Sequence, residues 1–597
     1  MEDLRKRCEL DKNDCWDISK IIKDEKEYQD LVTAVKKENQ KIVSMRGHIL
    51  DSKYSLKEYL KANENEERSY AKLLLYTRFL YDEDTRNNEA KNKMLEIENL
   101  ANVLSESESF VTSELMKKDL EDVLKLLDDD KYVLYFKRLY KQKKRVLSEK
   151  EEEIISAAMS AFGTPDEAFT SLDVADAFFE PISFEGKKVF LSHYNYGELL
   201  EHPSQKVREA AFKNYHKYYA EHKNTFASLL KGNYQELEFV RKLRKYDTAL
   251  EMALDSIEVD KKVYENLIAM VHEYNHLNIL FQKLKAKKLG LKEYHLYDTY
   301  VPIVKESNKR YTKEEAIALV NKALKPLGKD YLEHFNSMFL NHDVDFYPNE
   351  GKHNGAYQWG GYDTDSYVLL NFNGTFSSVS TLAHELGHAV HSMYSKENNS
   401  YPYYSYEIFL AEIASTVNET LLSFYMLDHA KEKEEKIYYL CEFLNKVKAT
   451  IFRQTMFAEF ESIMSKKCQN KESLTEESFS DVYYDLNKEY FQDSVIIDSD
   501  IRYEWMRISH FYSPFYVYQY ATGLISAISI VNDIYEDKDN FVPKYLNFLK
   551  SGSSKNVLDI LKEVDIDLTT KETYEKVFHF IEEKVQELKK LLESGEE

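Results

Sequence analysis

The segment from Thr381 to His391, TLAHELGHAVH, constrains this chain more than any other part of its sequence. It sets His384, Glu385 and His388 at the spacing His-Glu-x-x-His. Positions i and i+4 of an α-helix lie on one face, so both imidazoles can reach a single metal ion. Glu385 can then stand beside a metal-bound water without joining the coordination sphere, which is the position of a general base. The segment therefore predicts a zinc site of the hydrolase type on a helix.

The residues around this motif predict that the helix is buried. Apolar side chains fill the positions between the polar ones, and a serine shortly before the motif suits an N-cap. The apolar positions are Leu382, Ala383, Leu386, Ala389 and Val390, and the candidate caps are Ser377 and Ser378.

A catalytic zinc usually takes three protein ligands and leaves a fourth position for water, so a further donor is needed downstream. The best candidate is Glu412, in a second predicted helix from about Tyr406 to Tyr425. Glu419 shares a face with Glu412, and a carboxylate there suits the free N–H of a ligating histidine. Glu407, Glu419 and His391 remain competing donors for the metal itself.

The arrangement resembles the thimet oligopeptidase family of zinc metallopeptidases, and within it the oligoendopeptidase F branch. The segments that carry the resemblance are HELGHAVH at 384–391, EIAS with the following Glu419, HFYSPFYVYQYATG at 510–523, and weaker echoes at 297–303, 355–375 and 548–568. They run from about residue 190 almost to the C-terminus. The resemblance implies that His384, His388 and Glu412 hold one Zn²⁺ per chain and that Glu385 is the catalytic base.

Hydrolysis of an amide also needs donors for the developing oxyanion, and the segment at 510–523 is rich in them. The resemblance implies that a histidine and tyrosines of this stretch bind the substrate and stabilise the tetrahedral intermediate. His510 opens the stretch, and Tyr516 and Tyr520 would share a face if it is helical; Tyr518 is a further candidate for substrate contact. Phe515 stands near the place where the better-known family members have a tyrosine, and aromatic runs also form simply by packing.

Gly387 lies inside the predicted metal helix, where glycine costs roughly 1 kcal/mol relative to alanine. Close approach of another backbone or of the substrate beside the metal would offset that cost. Crowding of the helix against a neighbouring helix is the alternative.

Upstream of the motif, the residues from Gly355 to Thr375 are typical of a glycine-punctuated hairpin or pair of short strands. The resemblance implies that this small sheet borders the substrate cleft, where an exposed edge could pair with an extended peptide. Gly355, Ala356 and Tyr357 are the candidates for that contact. A purely structural turn and strand explains them equally well.

The net charge of −23, from 81 basic and 104 acidic residues, argues against a surface for nucleic acid or anionic membranes. The N-terminus lacks the apolar core of a signal peptide, and no run of about 18 apolar residues suggests a membrane span. The 4 cysteines are sparse and show no CxxC spacing. These features predict a cytoplasmic protein, and nothing implies an obligate protein partner.

The organisation of the chain is predicted to be mainly α, because only 9 Pro and 16 Gly interrupt long apolar periodicities. A short hairpin around Gly186 suggests a boundary between an N-terminal helical domain, 1–190, and a zincin-type metallopeptidase catalytic domain, 191–590. Thr312 and Glu315 form the pattern of a capping box at the start of a later helix. The resemblance adds a large helical body divided by a deep substrate channel, with a small β-sheet beside the zinc helix.

These features together predict a zinc-dependent endopeptidase that cleaves internal bonds of short unstructured oligopeptides, with Glu385 activating a zinc-bound water. A zinc carboxypeptidase or dipeptidyl carboxypeptidase is the nearer alternative. A non-enzymatic helical protein that binds peptides or metal is the more distant one.

Overall fold

Helices dominate the computed structural model, which describes residues 5–304, 309–536 and 540–594. The helices of the first half are α1 Glu25–Ser44, α2 Lys53–Glu83, α3 Asn88–Glu108, α4 Phe110–Leu115, α5 Leu120–Leu126, α6 Val133–Lys141, α7 Glu149–Phe162, α8 Thr164–Thr170, α9 His193–Leu200, α10 Gln205–Leu243, α11 Ala249–Ser256, α12 Lys261–Glu273 and α13 Asn275–Leu289. Those of the second half are α14 Lys313–Ala323, α15 Lys329–Leu340, α16 Phe376–Asn398, α17 Ile408–His429, α18 Lys433–Val447, α19 Arg453–Gln469, α20 Glu476–Phe491, α21 Tyr518–Tyr535, α22 Phe541–Lys550, α23 Val557–Lys562 and α24 Glu572–Glu593. The predicted mainly helical fold is confirmed, whereas the predicted channel stays a prediction.

Two small sheets interrupt the helices. Strands β1 Ile182–Phe184 and β2 Lys187–Val189 form the predicted antiparallel hairpin around Gly186. The second sheet has the order β3-β5-β4, built from β3 Val344–Asp345, β4 Tyr357–Gly360 and β5 Ser366–Leu369. Strand β4 runs antiparallel to β5 and β3 runs parallel to it. The sequence pattern predicted β4 and β5 but not β3.

The chain divides into two compact units, each built from three separate segments. The first unit comprises Met1–Ile154, Lys309–Leu422 and Ile530–Val564, and the second comprises Ile155–Asn308, Ser423–Ser529 and Asp565–Glu597. The functional division into residues 1–190 and 191–590 stays a prediction.

The core of the first unit joins the N-terminal helices to the β3-β5-β4 sheet. Trp16 packs against Phe79 of α2, with ring centroids 4.7 Å apart, and Phe79 packs against Tyr367 of β5 at 5.2 Å. All four residues of β5 are buried, as expected of a central strand covered on both faces. Helix α16 packs against β4 and β5, so the predicted small sheet beside the metal helix is confirmed.

The second unit is organised around α10, a helix of 39 residues. It packs against α8, α9, α19 and α20 and buries aromatic side chains such as Tyr219, Phe226 and Tyr234. In the described part of the chain, every helix is too short or too polar to cross a membrane.

Candidate functional site

The candidate metal site of the first unit rests on two neighbouring helices, α16 and α17. Helix α16 begins after Thr375, whose side-chain oxygen accepts a hydrogen bond from the backbone N–H of Ser378 at 3.1 Å. The predicted caps Ser377 and Ser378 are therefore wrong by a few residues, because Thr375 makes the same bond one turn earlier. The apolar positions predicted to be buried are fully buried in the structure: Leu382, Ala383, Leu386, Ala389 and Val390.

His384, His388 and Glu412 converge between these helices. Nε2 of His384 and Nε2 of His388 lie 3.2 Å apart, and the ligand atoms of all three residues lie within 4.8 Å of one another. Two imidazole nitrogens facing each other beside a carboxylate are the donor set of a three-ligand catalytic zinc site. The residues present therefore fit a zinc ion.

The other ring nitrogen of His384 faces a carboxylate. Nδ1 of His384 lies 3.2 Å from Oε1 of Glu419, so a proton held on Nδ1 leaves the Nε2 lone pair free for a metal. Burial lowers the pKa of His388 well below its usual value, and the nearby His384 lowers it further.

Glu385 lies next to the first ligand and is 8 % exposed. The pKa of Glu385 is raised to about 7, mainly by burial and also by Glu412, while His384 acts in the opposite direction. A carboxylate with such a pKa is able both to accept and to return a proton near neutral pH.

The competing donors take other places in the structure. His391 is fully buried in a stack with Tyr406, with ring centroids 3.7 Å apart, and burial lowers its pKa to about 3. Glu419 contacts His384, and among the described residues the group able to hold a metal contains neither Glu419, Glu407 nor His391.

Two residues hold α16 against α17. A Cβ atom at Gly387 would lie 2.7 Å from Cα of Ser415 and 3.1 Å from the carbonyl oxygen of Ala414. Asn418 donates from Nδ2 to the carbonyl oxygen of Ala383 at 3.1 Å and accepts from the hydroxyl of Tyr331 at 2.8 Å. The glycine therefore permits close approach of the α17 backbone, and the hydrogen bond from Asn418 to Ala383 holds the two helices together.

Sequence reasoning missed Asn418. The signal was available, because an amide inside an apolar helix must find hydrogen-bond partners. Its partners, however, are distant in the chain and only the folded structure identifies them.

The predicted oxyanion residues lie in the second unit and cluster together. The hydroxyl of Tyr520 lies 3.3 Å from Nε2 of His510, and the rings of Tyr516 and Tyr520 are 5.4 Å apart. Phe515 has a positive φ of 63°, so the chain bends before α21 begins at Tyr518. Tyr516 therefore reaches Tyr520 through a turn rather than along one helix face.

Tyr518 lies away from this cluster. Its side chain is fully buried against Tyr264, with ring centroids 5.3 Å apart. This corrects the prediction of substrate contact, because a ring with no exposed surface packs in the core instead.

The predicted peptide-contacting residues Gly355, Ala356 and Tyr357 lie at the start of β4, an outer strand of its sheet. The carbonyl oxygen of Gly355 accepts from Asn371, and the hydroxyl of Tyr357 donates to Asp82 at 2.6 Å. The Tyr357 side chain is thus engaged inside the unit, so the contact predicted for it would have to come from its backbone.

Comparison with known families places this site in context. Residues 198–580 match the family described as Peptidase family M3, and residues 114–179 match the one described as Oligopeptidase F. The first match contains the His-Glu-x-x-His motif, Glu412 and Glu419 of α17, and the histidine and tyrosines of the second unit.

Curated relatives match almost the whole chain. Oligopeptidase PepF of Bacillus subtilis is 36% identical over 99% of this chain and 89% of its own length. Group B oligopeptidase PepB of Streptococcus agalactiae is 33% identical over 97% of each chain. The crystal structure of oligoendopeptidase-F from Enterococcus faecium is 29% identical, with a TM-score of 0.76 over 95% of this chain and 98% of that one.

Proposed function

Because the chain belongs to peptidase family M3, as its motifs predicted, we propose that it is a zinc-dependent endopeptidase that cleaves internal bonds of short, unstructured oligopeptides. Membership makes it a peptide hydrolase of a metallopeptidase family. The observation that carries the finer proposal is the convergence of His384, His388 and Glu412 beside the buried Glu385.

Each residue has a role that its surroundings support. His384, His388 and Glu412 would hold the zinc ion, which supplies a Lewis acid that polarises the scissile carbonyl and makes water more acidic. Glu385 takes the proton of the attacking water and returns it to the departing amine. Glu419 keeps His384 in the tautomer that presents Nε2.

His510 with Tyr516 or Tyr520 is proposed to donate hydrogen bonds to the oxyanion. The support is their clustering in the second unit and the lowered pKa of His510, which partial burial causes. The contact between Nε2 of His510 and the Tyr520 hydroxyl orients the imidazole, so that a donor of fixed direction is available.

Recognition of the peptide is proposed to use backbone groups. The outer strand β4 offers a sheet edge, and pairing along it would tolerate many side chains. Tolerance of sequence together with a narrow channel, as the family resemblance implies, suits the trimming of flexible peptide fragments.

A zinc carboxypeptidase or dipeptidyl carboxypeptidase is the second candidate. Such an enzyme would need a group that captures the terminal carboxylate of the substrate. Relatives of this chain from Lactococcus lactis carry the name oligoendopeptidase F, which favours internal cleavage.

The deciding experiment uses a short internally quenched peptide that is blocked at both ends, incubated with the purified full chain and analysed by mass. We expect internal cuts that vanish with a chelator and return when zinc is added. Cleavage that is confined to peptides with a free C-terminus would instead identify an exopeptidase. No cleavage of either peptide by zinc-loaded protein would favour the binding-protein alternative.

A further inference from the structure

A cavity of about 200 Å³ lies inside the second unit, apart from the residues assigned to hydrolysis. Residues from α9, α10, α19, α20 and the segments around Tyr300 and Glu504 line it. Much of its wall is aromatic or apolar. The side chains responsible are Tyr196, Phe212, Tyr300, Phe452, Met456 and Phe491.

Three basic side chains line this cavity, namely Lys448, Arg453 and Arg507, against the single carboxylate of Glu504. Oε1 of Glu504 accepts from Arg453 at 2.8 Å and from Arg507 at 3.2 Å, and Oε2 accepts from the Tyr483 hydroxyl at 2.6 Å. One carboxylate therefore serves two guanidinium groups and a hydroxyl. The wall of the cavity keeps an excess of positive charge.

Arg507 retains an unused donor. Its Nε is buried and has no hydrogen-bond partner among the described residues, although its Nη2 contacts Glu504. The guanidinium also lies over the rings of Tyr196 and Tyr215, at 5.8 and 5.7 Å from their centroids. These rings fix its plane but accept no conventional hydrogen bond.

Lys448 has no carboxylate partner within 4 Å in the described part of the chain. Its Nζ lies 3.3 Å from the hydroxyl and 3.4 Å from the carbonyl oxygen of Thr299, and 4.7 Å from the centroid of Tyr300. Lys285 donates to the same carbonyl oxygen at 2.7 Å. Two lysine Nζ atoms thus share one neutral acceptor, and burial lowers the pKa of Lys448 well below its usual value, so Lys448 lacks the counter-charge that a bound anion would supply.

The backbone at Lys448 is unusual as well. Residues Lys448–Phe452 form a π-helical turn between α18 and α19. Such turns are rare and occur frequently at functional sites. The turn brings Lys448, Ala449 and Phe452 to the cavity wall together.

We propose that this cavity binds a small monocarboxylate with an aromatic body, recognised by Lys448 and Arg507. The net positive wall requires an anion, and the aromatic wall requires an apolar body. A cavity of about 150 Å³ already holds benzene, so the volume here suits a ring with a short acidic side chain. A free amino acid fits poorly, because its ammonium group would meet the same cations.

The test is calorimetric titration of the full chain, treated with a chelator, with 3-phenylpropionate, its neutral amide and acetate. The chelator is needed because a carboxylate can also bind zinc at the proposed active site. We expect 3-phenylpropionate to bind at least about tenfold more tightly than either comparison ligand. The amide lacks the charged carboxylate, and acetate lacks the aromatic ring.

Two variants locate the site. Lys448→Met removes an amine that has no ion pair to break, and Ala449→Phe fills the cavity from an exposed position of the π-helical turn. Each should weaken binding about tenfold or more, whereas Lys433→Met, at an exposed position of α18, should leave it unchanged. Circular dichroism checks that every variant is folded.

Three results would overturn the proposal: no binding of 3-phenylpropionate, equal binding of its amide, or unchanged binding in both folded cavity variants. None of these results bears on hydrolysis, because the titration is done without zinc.

Discussion

Gly387 of α16 faces Cα of Ser415 in α17 so closely that a Cβ atom on the glycine would lie 2.7 Å from it. The two nearest atoms are backbone atoms of α17, so the rotation of a side chain cannot relieve this contact. The separation of α16 and α17, the two helices that carry the candidate metal ligands, is therefore set by a missing methyl group.

Gly387→Ala should force α16 and α17 apart, which lowers the midpoint of urea unfolding and weakens zinc binding. The cost should exceed the roughly 1 kcal/mol that alanine gains in a helix interior. The matched control is Gly197→Ala in α9, where a new Cβ would meet nothing within 4 Å. Equal effects of the two substitutions would show that helix spacing is not the reason for Gly387.

Asn418→Ala should destabilise the protein, because it leaves the Ala383 carbonyl and the Tyr331 hydroxyl without their buried partner. The expected loss is about 1 to 3 kcal/mol in the free energy of unfolding. Tyr331→Phe removes one of the two bonds, so the double variant should lose less than the sum of the single losses. Strict additivity in denaturant titrations would contradict the bridging role.

Glu419→Ala should weaken zinc binding by about 10- to 100-fold, since His384 loses the carboxylate that orients it. Competition with a chromogenic chelator measures the affinity directly. Glu397→Ala, at an exposed position of α16, serves as the control and should match the unmodified chain. An unaltered affinity in the Glu419 variant would remove this residue from the metal site.

Glu385→Gln should retain zinc and lose about 10²- to 10⁴-fold in peptide turnover, because the amide cannot accept the proton of the attacking water. Metal analysis and a quenched-peptide assay on the same sample separate the two effects. A zinc-loaded glutamine variant with full activity would reject Glu385 as the base.

The ionised Glu504 carboxylate should make the free energy of unfolding decrease as the pH becomes acidic. Burial would raise its pKa, but Arg453 and Arg507 outweigh burial and hold the pKa well below its usual value. A carboxyl whose pKa is depressed in the folded protein stabilises the fold at pH values above its unfolded pKa of about 4.3. That stabilisation is lost progressively as the pH falls below this value towards the folded pKa. Glu504→Gln should therefore unfold more easily at neutral pH, by about 3 to 5 kcal/mol, but show a weaker pH dependence between about pH 5 and 3.

Denaturant titrations across that pH window check the difference. Glu434→Gln, at an exposed position of α18, should keep the pH dependence of the unmodified chain. A Glu504 variant with an unchanged slope would mean that this carboxyl does not carry the acid sensitivity.

Local features of the fold could be predicted from the sequence. The hairpin at Gly186 and the capping box of Thr312 with Glu315 both appear as predicted, because each depends on residues within a few positions. The grouping of His384, His388 and Glu412 could also be predicted, since the two histidines lie one helical turn apart and the family resemblance selected Glu412.

Features that depend on distant partners could not be read. Strand β3 has two residues, and its pairing of Val344 with Val368 leaves no periodic signal. The N-cap was ambiguous because Thr375, Ser377 and Ser378 have similar preferences for that position. The inward direction of Tyr518 follows from the bend at Phe515, which helical spacing does not anticipate.

The packing of α16 has a consequence for the order in which its contacts can form during synthesis. The ring of Phe548 in α22 stacks on His391, and the side chain of Asn399 donates to the carbonyl oxygen of Lys550, 151 positions later in the chain. Translation proceeds from the N-terminus, so α16 leaves the ribosome long before α22 has been synthesised. One side of α16 stays uncovered on the nascent chain, and the first unit is completed only after the residues of α22 have been synthesised.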